Sequence, residues 1–206
     1  MKQQKMLRLV ESGLLLALAT VLSMVKVLDL PYGGSITAFS ALPSLLVGYR
    51  HGTPWGLLTA CAHALIQLLL GANTLSYATS PAAAVAIVVL DYLLAFTVLG
   101  LGGIFRNCIK KPGLGLLCGS LVALTTRFLC HVGSGYILFS GWAEWFFTQD
   151  GFPAFGAALV NSLSPVALGW VYSLVYNGMY MVPEILLTGT VALILGRIPK
   201  IVTKIS

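Results

Sequence analysis

The stretch Pro165–Ile198 reads PVALGWVYSLVYNGMYMVPEILLTGTVALILGRI. Only Glu184 and Arg197 carry a charge in it. About 20 consecutive apolar residues span a bilayer as a helix, so this stretch is long enough to cross. Its polar residues are not scattered. At about 100° per residue, Tyr172, Ser173, Tyr176, Asn177, Tyr180 and Glu184 fall within an arc of about 140°. The helix thus has an apolar side suited to lipid and a polar-aromatic side that needs protein or water beside it.

Five more apolar segments precede it: Leu7–Leu28, Thr37–Tyr49 (short, with Pro43), Pro54–Gly71, Pro81–Phe105 and Gly113–Phe139. Of the 206 residues, 58% are hydrophobic and 9% charged. A soluble domain carries roughly 25% charged residues, so too few are present to coat a water-facing surface. The expectation is an all-α integral membrane protein of six transmembrane helices in one domain, residues 1–206. The first segment runs too far past Met24 to read as a cleavable signal.

The basic residues set the orientation. Lys2, Lys5 and Arg8 open segment one; Arg50 separates two and three. Arg106, Lys110 and Lys111 separate four and five, and Arg197, Lys200 and Lys204 close segment six. With six crossings these groups share one side, and the opposite loops hold only Lys26. By the positive-inside rule both termini are cytoplasmic. A net charge of +6 placed this way argues against nucleic-acid binding. Cys61, Cys108, Cys118 and Cys130 form no CxxC pair, so neither a metal nor a disulfide is expected.

Polar residues inside apolar segments are expensive, roughly 2.5–3.5 kcal/mol for a charge near the bilayer centre. Asp91, Arg127 and Glu184 each lie about 20 Å along their helices from the cytoplasmic end. Equal depth permits pairing, and the trio sums to −1, which leaves room for a cationic ligand or a plain Arg127–carboxylate pair. On segment five, Ser120, Arg127, His131 and Ser134 share an arc of about 60°. Two polar stripes on consecutive helices point to a shared cavity. His63 and Gln67, four apart, read as interhelical hydrogen bonding, and His51 as a solvated turn residue. Two outward loops stand out. Asp29–Thr37 reads DLPYGGSIT, and Gly141–Ser162 carries Trp142, Trp145, Phe146, Phe147, Phe152 and Phe155. The second is either an aromatic belt at the headgroups or a lid over a pocket.

No GxxxxGK[ST] occurs, so the chain has no ATP-binding phosphate loop. The run His131-Val-Gly-Ser-Gly135 lacks a GxSxG context. An intramembrane enzyme using His131 and Ser134 is kept as an alternative, as is a proton-coupled carrier using Asp91 or Glu184. The chain is small for a secondary transporter with two repeated halves, so a binder without an engine needs a partner that supplies energy.

Five segments carry a resemblance: PYGGSIT (Pro31–Thr37), GYRHG (Gly48–Gly52), LDYLLAF (Leu90–Phe96), RFLCHVGSG (Arg127–Gly135) and YSLVYNGMYMVPE (Tyr172–Glu184). In this order they resemble the thiamine-specific S-components of energy-coupling factor (ECF) transporters, the ThiT/YuaJ family. The resemblance implies a non-enzymatic six-helix binder in the plasma membrane. It implies capture of thiamine from outside, docking to an ECF transmembrane scaffold subunit, and two cytoplasmic ATPases that use the ATP; this chain itself is expected to bind no cofactor. It implies ligand contacts at Asp91, Tyr92, His131, Tyr172 and Asn177. Tyr176 and Phe139 join them as aromatic surfaces, and Arg127 and Glu184 as an ion pair or ligand neighbours. Gly13 and Ala17 match the family's small-xxx-small motif for the scaffold. The family has Glu where this chain has Asp91, and Trp where it has Phe139, a place Trp142 could fill. The family's first-loop aromatic is assigned to Tyr32. A related pyrimidine precursor, hydroxymethylpyrimidine, is the alternative ligand.

Overall fold

Each apolar run forms a helix in the computed structural model, which describes residues 2–30, 34–150 and 152–203. The long elements are α1 (Lys2–Met24), α3 (Thr53–Leu70), α4 (Pro81–Gly103), α5 (Pro112–Phe139) and α8 (Pro165–Leu195). All five are long and apolar enough to cross a membrane. Large apolar side chains such as Leu14, Leu69 and Leu186 cover their outer surfaces, where lipid replaces water as solvent.

The second segment forms a helix too, but a short one. Helix α2 (Leu42–His51) has ten residues, about 15 Å at 1.5 Å per residue, which is half a hydrocarbon core. The other half of that crossing is a hairpin. Strands β1 (Lys26–Asp29) and β2 (Ser35–Thr37) pair antiparallel and return the chain into the bundle. There Thr37 donates its backbone N–H to Glu184 Oε2 (3.2 Å) and its hydroxyl to Oε1 (3.3 Å). A tight turn follows, with Phe39 at φ 60°, and Pro43 sits in the first turn of α2, where its missing N–H costs nothing. Residues Leu42 to Arg50 are all buried. A helix enclosed on every side need not match the bilayer thickness.

The basic cluster at the end of α2 is held together rather than solvated. Arg50 ion-pairs with Glu11 of α1 and donates to the carbonyls of Lys200 (3.2 Å) and Ile201 in α9 (Pro199–Val202). His51, expected in solvent, lies 3.2 Å from Glu11 and its side chain is 4% exposed. Arg106 donates to the carbonyl of Arg50 (3.2 Å). The start of α1, the α2–α3 turn, the α4–α5 connection and α9 therefore meet at one end of the bundle.

Helices α5 and α8 pack antiparallel along their length. A Cβ on Gly113 would meet the Leu193 carbonyl at 2.9 Å, and one on Gly135 would meet Ser173 Oγ at 2.5 Å and Asn177 Nδ2 at 2.8 Å. Small residues at both points let the backbones approach, as in other membrane helix pairs. The segment read as a second outer loop contains two short helices, α6 (Ala143–Phe147) and α7 (Phe155–Ser162). Its aromatics divide by burial. Trp142 and Trp145 are about half exposed, whereas Phe147 is buried and packs on Phe152. Phe146 meets Tyr172 edge-on at 5.1 Å.

Candidate functional site

A cavity of about 750 Å³ opens between the hairpin and helices α1, α3, α4, α5 and α8. Helix α4 reaches it through an irregular turn. Ser80 caps its start by accepting from Ala83 N–H (3.1 Å), and Ile87–Leu94 then winds as a π-helix. In a regular α-helix Ile87 and Phe96, nine residues apart, would point about 180° apart. The wider π turn, with its i→i+5 bonds, brings Ile87, Asp91, Tyr92 and Phe96 to the same cavity wall.

Asp91 is the centre of the polar network. Its Oδ2 accepts from Ser134 Oγ (2.5 Å) and its Oδ1 from His131 Nδ1 (2.9 Å). Arg127 Nε donates to His131 Nε2 (3.3 Å). With Nε2 accepting, the hydrogen of a neutral ring sits on Nδ1 and points at Asp91. Both donors come from α5, one turn apart, so a helix face spaced by three to four residues grips one carboxylate. The Asp91 side chain remains 26% exposed. Ser134 and His131 both donate to Asp91 rather than to each other. A serine nucleophile needs its base on the hydroxyl, so this geometry is wrong for hydrolysis.

The Arg127–carboxylate pair, one of the two readings of the trio, does not form. Among the described residues, Arg127 has no carboxylate oxygen within the 4.0 Å of an ion pair. His131 takes its Nε, and its guanidinium carbon stands 4.3 Å over the Phe96 ring, a cation–π contact. Glu184 is held by Thr37 instead. Asp91, Arg127 and Glu184 nonetheless all line the cavity.

Helix α8 supplies the aromatic wall. Tyr172, Tyr176, Asn177 and Tyr180 line the cavity. Asn177 Nδ2 donates to Ser173 O (2.9 Å) and Ser173 Oγ (3.2 Å), and its Oδ1 accepts from Tyr180 OH (2.6 Å). Ser173 in turn donates to Val132 O (2.7 Å). Much of this stripe is therefore committed within α8, and Ser173 carries the bond across to α5. Tyr92 is likewise committed: its hydroxyl donates to Gly71 O (2.7 Å) and sits 2.9 Å from Thr74 Oγ1. Its ring stacks on Phe96 at 6.3 Å.

Phe139 lines the main cavity and also an apolar one of about 450 Å³ that shares Tyr172 and Tyr176 with it. Trp142 lines only the second, so it does not take the place of Phe139 in the first. Ser120 of the α5 stripe is buried and does not line the cavity. Gly13 and Ala17 lie on the exposed side of α1. Tyr32 lies outside the described residues. Sequence reasoning missed Thr37, Ser40, Tyr77 and Phe96 as wall residues; the hairpin's return brings Thr37 and Ser40, the short 3-10 helix Ala72–Tyr77 after α3 brings Tyr77, and the π turn brings Phe96. His63 and Gln67 do bond between helices, to Ser44 of α2 (3.0 Å) and Ser23 of α1 (2.7 Å).

Residues 9–147 match the family model described as thiamine transporter protein (Thia_YuaJ). Over 207 aligned residues the chain is 30% identical to the thiamine transporter ThiT of Bacillus subtilis (strain 168), covering 95% of this chain and 93% of that protein. The fold superposes on the solved structure of ThiT from Listeria monocytogenes with a TM-score of 0.70 at 20% identity, covering 97% of this chain and 99% of that one. The family match ends before α8. The α8 wall of the cavity therefore rests on the whole-length similarity.

Proposed function

The chain belongs to the thiamine transporter protein family, Thia_YuaJ, and from that premise we propose that it captures thiamine at the outer face of the plasma membrane for uptake. It is a transporter, not an enzyme. In this reading both termini are cytoplasmic, and the end where Arg50, Arg106 and α9 meet faces the cytoplasm. Energy comes from an ECF scaffold subunit and two ATPases, since the chain has no phosphate loop. The exposed Gly13 and Ala17 are the surface offered to that scaffold, because small residues allow close helix approach.

The observation that carries the reading is the anchored Asp91 carboxylate on the wall of an aromatic-lined cavity. Thiamine has a fixed positive charge on its thiazolium, a donor–acceptor edge on its aminopyrimidine, and two flat rings. Asp91 answers the charge. His131 and Ser134 hold it in place and keep it from recruiting Arg127. Tyr172, Tyr176 and Phe139 offer ring faces, and Tyr92 fixes the α3 end of the cavity. Asn177 Oδ1 keeps one lone pair for the ligand while holding Tyr180. Arg127 and Glu184 tune the cavity to a net −1 once Asp91 is included, which favours a cation over an anion.

Titration of the purified protein with thiamine, followed by tryptophan fluorescence, tests this. Trp142 and Trp145 line the adjoining cavity, and Trp170 stacks on Tyr136 at 4.2 Å. Saturable quenching by thiamine and none by riboflavin is the expected result. A folded protein with no response to thiamine refutes the reading. Competition with the uncharged hydroxymethylpyrimidine separates the alternative ligand: equal affinity for the two would favour the precursor.

A further inference from the structure

Gln67 projects from α3 onto the cavity wall, and it is 9% exposed. Its Nε2 donates to Ser23 Oγ (2.7 Å) and lies 3.0 Å from His63 Nε2. The orientation of the amide is fixed by what Ser23 needs. The Ser23 hydroxyl hydrogen goes to Thr20 O (2.7 Å), so Ser23 Oγ can only accept, and only the nitrogen of Gln67 can supply it. His63 completes the lock. With Nε2 accepting from Gln67, the imidazole N–H lies on Nδ1, toward Ser44 Oγ at 3.0 Å. Both hydrogens of the Gln67 amide are thereby spent inside the protein. Oε1, which has no hydrogen-bond partner among the described residues, is the atom left to the cavity.

We propose that Gln67 is a specificity-determining residue, its Oε1 a fixed acceptor for one neutral N–H or O–H donor of the bound molecule. The inference rests on the thiamine reading above, in which two such donors exist, the ring amino group and the side-chain hydroxyl. An acceptor that cannot rotate discriminates more strongly than a mobile one. A ligand lacking the donor leaves a buried oxygen unpaired, and no described residue offers it a hydrogen. Asn177 is a weaker candidate for the same task, because its Oδ1 already accepts from Tyr180. The Ser23–Gln67–His63–Ser44 chain also joins α1, α3 and α2, so the acceptor is held from three helices.

The test measures dissociation constants for three ligands: thiamine, an analogue with the amino group replaced by a carbonyl oxygen, and one with the hydroxyethyl group reduced to ethyl. The protein forms are wild type, Gln67→Met and Ser23→Ala. In the wild type, the analogue lacking the paired donor binds roughly tenfold to a hundredfold more weakly than thiamine. Gln67→Met keeps length and helix propensity but removes the oxygen, so that ratio falls toward one. The other analogue's ratio stays put, which identifies the donor. Ser23→Ala releases the amide and lowers the same ratio several-fold, and it decides the matter if Gln67→Met does not fold. Equal weakening of all three ligands, or unchanged ratios in both variants, overturns the proposal and leaves Gln67 a structural residue. A folded wild type that does not bind thiamine would instead overturn the functional reading on which this inference rests.

Discussion

Replacing Asp91 by Asn removes one charge and little else. The Asn Oδ1 can still accept from His131 Nδ1, which lies 2.9 Å from the carboxylate. The Asn amide can donate to Ser134 Oγ, whose hydroxyl rotates from donor to acceptor. The polar network is therefore re-satisfied, and the change isolates the Coulomb contribution. A cation about 4–5 Å from the carboxylate gains about 3–4 kcal/mol at an effective dielectric near 20. With 26% of the side chain open to the cavity, screening reduces this to about 2 kcal/mol, a loss of about 30-fold in affinity. Calorimetric titration of wild type and Asp91→Asn with thiamine and with the uncharged hydroxymethylpyrimidine reads the difference. Thiamine should weaken about 30-fold and the neutral pyrimidine by less than about threefold. Equal losses for the two ligands, or an unchanged thiamine affinity, would refute the electrostatic role of Asp91.

Three further variants probe the frame around the site. Glu184→Gln puts an N–H₂ group where two Thr37 donors now meet a carboxylate; it should lower the melting temperature by several degrees, about 1–3 kcal/mol, and reduce yield more than thiamine affinity. A normal yield with a large loss of affinity would reverse that order. Glu11→Gln leaves the buried Arg50 without its carboxylate, which should cost about 3 kcal/mol in thermal unfolding, while folded protein binds within about threefold of wild type because the cluster lies at the opposite end from the hairpin. Gly135→Ala places a methyl group against Ser173 and Asn177; overpacking of about 1–3 kcal/mol should appear in both the melting temperature and the thiamine affinity, because the α5–α8 seam carries His131 on one side and Asn177 on the other.

The membrane class, the five long spans and the residues of the polar stripes were determined by the sequence itself. Each depends on periodicity within one segment: apolar length sets the span, and a 3.6-residue turn sets which side chains share a face. That is why Asp91, His131, Tyr172, Tyr176 and Asn177 could be named from single helices, and they do line one cavity. What lies between segments was decided only by the tertiary structure. Thr37 meets Glu184 across 147 positions of chain, and no local pattern marks that contact. Arg127 had two carboxylates on the same cavity wall, but a histidine one turn away and the Phe96 ring took its guanidinium, because the direction in which each side chain points fixes its partner. His51 looked solvated until α2 proved to end inside the bundle, beside Glu11 of α1. The π turn of α4 changes the period on which the face of Phe96 would have been reckoned. The amide of Gln67 acquired a direction only when Ser23, His63 and Ser44 from three helices used up its hydrogens and those around it. A sequence fixes which groups a helix presents; which atoms remain unpaired, and so free for a ligand, depends on every helix packed against it.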